Sequence, residues 1–249
     1  MKNRNRNLSA SIGNTPFDKK DMINHLKEFY YLYKERPIKD NNGGQLSAQL
    51  FYSWYVAKKL KPKFIIESGT YKGQGTWAFE NASPESYLIC LDPYPKEIYK
   101  SKKAQYIRKD FTQIDWSNIP KKDCLVFFDD HQNALNRILN CKIQGFKHIM
   151  FEDNYPEGQG DCLSLKKCLD KKTNYEVIPE VSSFEWLNKI IKVYYEMPPI
   201  FDIPVNRWNL PWETYSSNYP LLEEVKEDYH KMYYNDMNQY TWINYVELQ

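Results

Sequence analysis

The sequence predicts a doubly wound α/β fold, a mainly parallel sheet with helices on both faces. Three observations predict it. Short apolar runs alternate with helical stretches from residue 64 to about residue 171, as strand–helix–strand units require. The first run, Phe64-Ile-Ile-Glu67, passes into a turn holding Gly69, Gly73 and Gly75, and a helix follows from about Thr76. Four successive strand ends carry acids: Glu67, Asp92, Asp129-Asp130 and Glu152-Asp153. Ligands of open α/β sheets bind beyond such ends, where the strand order reverses.

The elements follow in order. Residues 1 to about 14 are polar and read as loose. Thr15-Pro-Phe-Asp18 reads as an N-cap, a first-turn proline and a capping-box acid. A helix then runs to about Lys34 with Ile23, Leu26, Tyr30 and Tyr33 on one face. After the flexible turn Asp40–Gly44, a second helix spans Gln45–Leu60, with Leu46, Leu50, Trp54 and Ala57 as its stripe. Pro62 stops it. Further strands are read at Tyr87–Leu91, Gln105–Lys109, Asp123–Phe128 and His148–Phe151. Helices are read at Asn133–Leu139 and Leu163–Lys171. Tyr175–Ile178 reads as a sixth strand and Thr241–Leu248 as the last. Between these two lies a proline-interrupted segment with Trp186, Tyr194, Tyr195, Phe201, Trp208, Trp212 and Tyr215. A structureless loop of that length is improbable, so it is expected to form an aromatic-rich cap. We therefore divide the chain into an N-terminal helical extension (1–40) and one domain (41–249), with about 180–238 as a cap insertion.

Composition narrows the function. The chain has 249 residues, 42% of them hydrophobic, enough for a sizeable core. Net charge is +2 with lysines scattered among acids, which argues against a dedicated nucleic-acid surface. The five cysteines show no C-x-x-C spacing and read as free thiols in a reducing, cytoplasmic setting. No apolar run reaches transmembrane length. Homo-oligomerisation is left open.

The glycine turn reads E-x-G-x-x-x-G-x-G, not the dinucleotide pattern G-x-G-x-x-G. A carboxylate before the first glycine suits a ligand with an ammonium group. S-adenosylmethionine has one and NAD does not. Glu67, as a strand-end acid, is expected to lie outside the core. Asp92 follows the turn by about 20 residues, where an acid commonly accepts from ribose hydroxyls; its bland reading is a helix N-cap. Asp110 and Phe111 are placed to bracket an adenine, or are an ordinary turn. Asp129, Asp153 and Asn154 offer hard oxygen ligands, which suit Mg²⁺. Of the four histidines only His131 sits at a strand end.

The segment from about Asn41 to Cys168 resembles the class I S-adenosylmethionine-dependent methyltransferases, and the metal-dependent O-methyltransferases of the catechol O-methyltransferase type above all. Three stretches carry the resemblance: Ile65–Gly75, Leu125–Asp129 and His148–Asn154. The resemblance implies a seven-stranded Rossmann-like sheet of order 3-2-1-4-5-7-6, with an antiparallel seventh strand, and Mg²⁺ on Asp129, Asp153 and Asn154. The residues expected to hold the cofactor are Gly43, Gly44, Glu67, Gly69, Tyr71, Gly73, Gln74, Thr76, Asp92, Asp110, Phe111 and Asp129. Where catechol enzymes carry a lysine base, this chain has Gln132. Related sugar and antibiotic O-methyltransferases place the base two residues past the metal aspartate, which here is His131, with Asp130 its competitor.

The function expected is Mg²⁺-assisted O-methylation of a sugar or surface-glycan hydroxyl. The alternatives are an aromatic or antibiotic-like small-molecule acceptor, a cofactor-binding protein without transfer activity, and a relative of the antibiotic (cephalosporin) hydroxylases of the same fold.

Overall fold

Apolar runs that are buried on both faces must lie at the centre of a sheet, and they do. The computed structural model describes residues 11–169, 176–178, 181–209 and 217–249. Residues 1–10, Lys171, Tyr175, Trp212 and Tyr215 of the sequence expectations lie outside these. The strands are β1 (Ser11–Ile12), β2 (Phe64–Ser68), β3 (Tyr87–Leu91), β4 (Ala104–Ile107), β5 (Cys124–Phe128), β6 (His148–Phe151), β7 (Glu176–Ile178), β8 (Val181–Ser182), β9 (Ile191–Glu196) and β10 (Asn244–Leu248). The main sheet runs β1-β9-β10-β6-β5-β2-β3-β4. Numbered in chain order without β1, its seven long strands read 3-2-1-4-5-7-6, the predicted order. β10 is antiparallel to both β6 and β9, while β2 to β6 pair in parallel.

Two strands depart from the expectation. β1 pairs antiparallel with β9 and adds an eighth strand at that edge. The sixth strand of the sheet is β9, not Tyr175–Ile178; β7 forms a separate two-stranded ribbon with β8. The stretch read as a cap thus supplies a sheet strand. Its residues Tyr194 and Tyr195 are buried on opposite faces of that strand.

Alternation assigns the two faces. Ile65, Leu125, Phe127, Met150 and Tyr245 point into one core cluster, and Ile66, Val126, Phe128, Ile149 and Val246 into the other. The first is covered by α1 (Lys19–Lys34), α2 (Ser47–Leu60), α3 (Gln74–Ala82) and α7 (His230–Asn235). The second is covered by α4 (Ala134–Gln144), α5 (Leu165–Leu169) and α6 (Ser183–Ile190). α2 is buried nearly all round, because α1, α3 and α7 all pack on it. Much of the aromatic content is spent here, in Phe29, Phe51, Tyr52, Trp54, Tyr55 and Tyr233, rather than in a cap.

The helix ends show what stops each one. α1 is capped by Asp18, which accepts from Asp21 N–H, not by Thr15. Thr15 Oγ1 instead accepts from Phe17 N–H, and Phe17 is buried before the helix begins. The buried face of α1 is accordingly Met22, Leu26, Phe29 and Tyr33. α4 begins at its Asn133 cap and continues to Gly145, whose left-handed backbone ends it. No helix among the described residues is long and apolar enough to cross a membrane.

The strand order reverses between β2 and β5, which are adjacent and in register from Phe64↔Cys124 to Ser68↔Phe128. Gly69 leaves β2 at φ +92, and a Cβ there would lie 2.0 Å from the Asp129 carbonyl oxygen. Only glycine lets the two strand ends meet this closely. Gly145 is also left-handed, at φ +85, but faces open space. Gly145→Ala should therefore cost about 1–2 kcal/mol, the backbone strain alone. Gly69→Ala adds a backbone collision and should cost on the order of 3–5 kcal/mol. Urea denaturation of the two variants checks the ranking; equal losses would contradict it.

Candidate functional site

Beyond the carboxyl ends of β2, β3 and β5 opens a cleft of about 370 Å³. Its lining includes Gly43, Gly44, Gly69, Tyr71, Asp92, Asp110, Asp129, Asp130 and His131. Asp92 ties its floor together. It accepts from Tyr71 N–H at 3.0 Å, Thr70 Oγ1 at 3.3 Å and Tyr94 N–H at 2.8 Å. The helix N-cap reading of Asp92 is replaced by this loop-bracing role. Tyr71 reaches across and donates to the Asn42 carbonyl at 3.0 Å, so the Gly43-Gly44 turn closes over the opening. A narrow recess continues past Gly44, Gly69 and Asp129 to Glu67 and Gln74. Gln74 is buried, and both atoms of its amide lack a hydrogen-bond partner. That is an unmet demand for one donor and one acceptor.

The cleft does not gather every residue expected of it. Gly73 is the N-cap of α3, which therefore starts at Gln74. Thr76 is fully buried and donates to Glu67. Phe111 is in the core, against Trp116, Phe128 and Phe146, so its ring is not available for stacking on a base. Asp110 takes two hydrogen bonds from Arg137, at 3.0 and 2.5 Å, and these hold its carboxyl well below the usual range. Glu67 is 2% exposed, which corrects the expectation that it lies outside the core. Burial raises its pKa from 4.5 to about 8, against bonds from Thr76 and Cys90 that favour the anion.

At the ends of β5 and β6 the acids converge. Phe128 pairs with Phe151, so Asp129 and Glu152 are neighbours across the sheet. One ligand atom each of Asp129, His131 and Asp153 lies within 4.8 Å of the others. Asp129 Oδ2 accepts from Gln45 Nε2 at 3.2 Å, and Gln45 is itself held by Ser53 at 2.8 Å. Burial and then the charge of Asp153 push the Asp129 carboxyl far up. Burial, then Asp153 and Asp129, do the same to Glu152, which accepts from Thr241 Oγ1 at 3.0 Å. Asp153 Oδ2 is buried without a hydrogen-bond partner, 3.1 Å from His131 Nδ1. Crowded, largely buried carboxylates are what a hard cation relieves. The residues fit such an ion through Asp129 and Asp153.

Asn154 does not belong to this group. It is fully buried, donates to Tyr194 Oη at 2.8 Å and the Trp242 carbonyl at 3.1 Å, and accepts from Lys166 N–H at 2.9 Å. Asp153 faces Asp129 and His131, whereas Asn154 is turned away from them and anchors the strand end. Asp130 is turned inward as well. Its Oδ2 accepts from Ser68 Oγ and Arg137 Nη2, both at 2.7 Å. Burial raises its pKa despite Arg137.

His131 stands between two clefts. Its backbone is left-handed, at φ +52, and its side chain is about half exposed. Nδ1 lies 3.1 Å from Asp153 Oδ2 and 3.1 Å from Asp161 Oδ1. Burial lowers its pKa, but Asp153 and Asp161 outweigh that and raise it above 6.5. On its far side is a second cleft of about 620 Å³, lined by His131, Asp153, Tyr155, Gly158, Gln159, Gly160, Asp161, Arg207 and Trp208. Sequence reasoning missed Gln45, Arg137, Gln159, Asp161 and Arg207. It noted Glu152 as a strand-end acid without assigning it to the site. The paired glycines Gly158 and Gly160 were the one visible sign of a shaped loop there.

The Glu67 shift gives a stability test. A folded pKa above the unfolded value stabilises the protein below about 4.5 and loses that contribution as pH rises through about 8. Ligand-free protein should lose melting temperature over that range, and Glu67→Gln should lose less. Parallel melting curves from pH 5 to 9 would contradict the burial of an ionisable Glu67.

No family model and no curated protein matches the chain. Among solved structures it is similar to the SAH-bound methyltransferase of Podospora anserina, at 18% identity over 57% of this chain and 74% of that one, with a TM-score of 0.37. It is similar to the Streptomyces achromogenes O-methyltransferase TomG, involved in tomaymycin synthesis and in complex with SAM, at 12% identity over 51% and 64%, with a TM-score of 0.36. A CmcI structure with Mg-SAM matches at 16% identity over 47% and 58%, with a TM-score of 0.36. The matches span less than two thirds of TomG and of CmcI. The fold assignment rests on the strand order and register described above, not on these scores.

Proposed function

We propose that this chain is an S-adenosylmethionine-dependent O-methyltransferase of the metal-dependent type, acting on a hydroxyl of a sugar or surface glycan. One observation carries the reading: two clefts meet at a group of buried acids and a half-exposed imidazole, at the point where the strand order reverses. The smaller cleft suits the cofactor. It offers bare backbone at Gly43, Gly44 and Gly69, an unpaired buried amide on Gln74 and a buried carboxylate on Glu67. An ammonium group brought to Glu67 would offset the burial that pushes its pKa up. The larger cleft suits the acceptor.

The chain's own residues divide the work as follows. Asp129 and Asp153 would hold a hard divalent cation, which on binding an acceptor hydroxyl lowers its pKa. Gln45 and Thr241 keep Asp129 and Glu152 in place through hydrogen bonds. Asp153 and Asp161 orient His131 through Nδ1, which leaves Nε2 to accept the acceptor's proton. Bound S-adenosylmethionine would supply a sulfonium methyl group for transfer to the acceptor oxygen, with the C–S bond pair returning to sulfur. Because opposite charges cancel in that step, the protein's main task is alignment. Asn154, Asp130 and Arg137 act at a distance by fixing the strand ends. The four buried free thiols agree with a reducing, cytoplasmic setting.

Transfer of labelled methyl from S-adenosylmethionine to crude and defined glycans tests the reading. His131→Ala should lower kcat by roughly 10²–10⁴-fold, the usual worth of a positioned base, with cofactor affinity unchanged. The wild-type rate should fall on acidification as the histidine is protonated, and that limb should vanish in the variant. Chelation should stop transfer and spare cofactor binding. Full activity in verified metal-free protein, or tighter binding of NAD than of S-adenosylmethionine, would sink the proposal.

A further inference from the structure

The larger cleft carries three side chains that methyl transfer itself does not use: Gln159, Arg207 and Trp208. Gln159 is 5% exposed and lines the cleft, and neither Oε1 nor Nε2 has a hydrogen-bond partner. Burying a whole amide unpaired is costly, and native structures rarely do it without a reason. The loop is built to keep it there. Gly158 and Gly160 flank it at φ +78 and +67, and a Cβ at Gly160 would lie 2.5 Å from the Tyr155 ring. The loop is pressed onto a residue that is itself buried against Trp208 and Trp242.

Arg207 is exposed at the same wall. Its Nη1 donates to Tyr155 Oη at 2.9 Å, and its guanidinium lies 5.4 Å from the Trp208 ring centroid. Among the described residues no carboxylate lies within ion-pair distance of it. Among the described residues its fork is thus held at one end and open at the other. Trp208 leaves 43% of its surface bare beside it.

We infer that this wall binds an anionic, polyhydroxylated acceptor: a sugar bearing a carboxylate or a phosphate. A planar guanidinium fork matches two oxygens of such a group. The Gln159 amide gives to one oxygen and takes from one hydroxyl. The bare indole face covers the apolar C–H side of a sugar ring. The acids in the cleft set the direction. Asp153 and Asp161 stand at the His131 end of the cleft and repel an anion there. The anionic group therefore lies at Arg207, and the hydroxyl to be methylated lies toward His131. This deepens the acceptor half of the proposed function and rests on that reading.

Calorimetric titrations test it with protein saturated in Mg²⁺ and S-adenosylhomocysteine. The probes are a hexuronic acid, its primary amide, and the 6-phosphate of the matching hexose. One anion should bind at least about tenfold tighter than the amide, as a charge-assisted bidentate contact would provide. Which anion does so separates carboxylate from phosphate. Arg207→Ala should abolish the advantage, and Gln159→Leu should weaken every probe that binds. Unchanged S-adenosylhomocysteine affinity shows that each variant is folded. Equal binding of acid and amide, an advantage that survives Arg207→Ala, or no anion binding at all would overturn the inference. S-adenosylhomocysteine binding is read first in the same cell, so its failure would count against the methyltransferase reading separately.

Discussion

The structure depends on keeping Asp129, Glu152 and Asp153 together at adjacent strand ends. Burial and mutual repulsion drive Asp129 and Glu152 toward the neutral form. Left to themselves such groups would separate or draw in solvent. The sheet forbids this, because β5 and β6 are in register up to Phe128 and Phe151. β10 returns antiparallel beside β6, so Thr241 can bond Glu152 and its carbonyl can accept from Asn154 N–H at 3.0 Å.

Behind the acids lies a second buried polar group. Lys166 pairs with Glu196 at 2.7 Å, both nearly without exposure, and Tyr194 donates to Glu196 at 2.8 Å. Asn154 joins them to the strand end through Tyr194 and the Lys166 backbone. A buried ion pair contributes little net stability but penalises any other arrangement. Its effect here is to fix the direction of Asp153 from three separate elements, β6, α5 and β9. The reversed last strand thus brings β9, and with it Glu196 and Tyr194, behind the end of β6.

The sheet was legible because its strands are short apolar runs ending in acids, and burial on both faces leaves such runs only one kind of place. The acid group was legible for the same reason. What the sequence could not convey was direction. Asp153 and Asn154 are both oxygen donors at one strand end, and only the positions of Tyr194, Trp242 and Lys166 decide which one faces inward. Phe111 reads like a stacking residue until Trp116 and Phe146 are seen to close over it. The true sixth strand was hidden among prolines and aromatics that resembled a cap. Gln159 and Arg207 have no local pattern at all; they matter because two loops meet on Tyr155.

We propose that Asp129 and Asp153, and not Asn154, form a cation site between the clefts. The most direct measurement is titration of the protein with Mn²⁺, followed by electron paramagnetic resonance of the free ion. The account predicts one site per chain, a loss of affinity of at least about tenfold in Asp153→Asn for removal of one charged ligand, and displacement of Mn²⁺ by Mg²⁺. Unchanged Mn²⁺ binding in Asp153→Asn, with the variant folded, would contradict it.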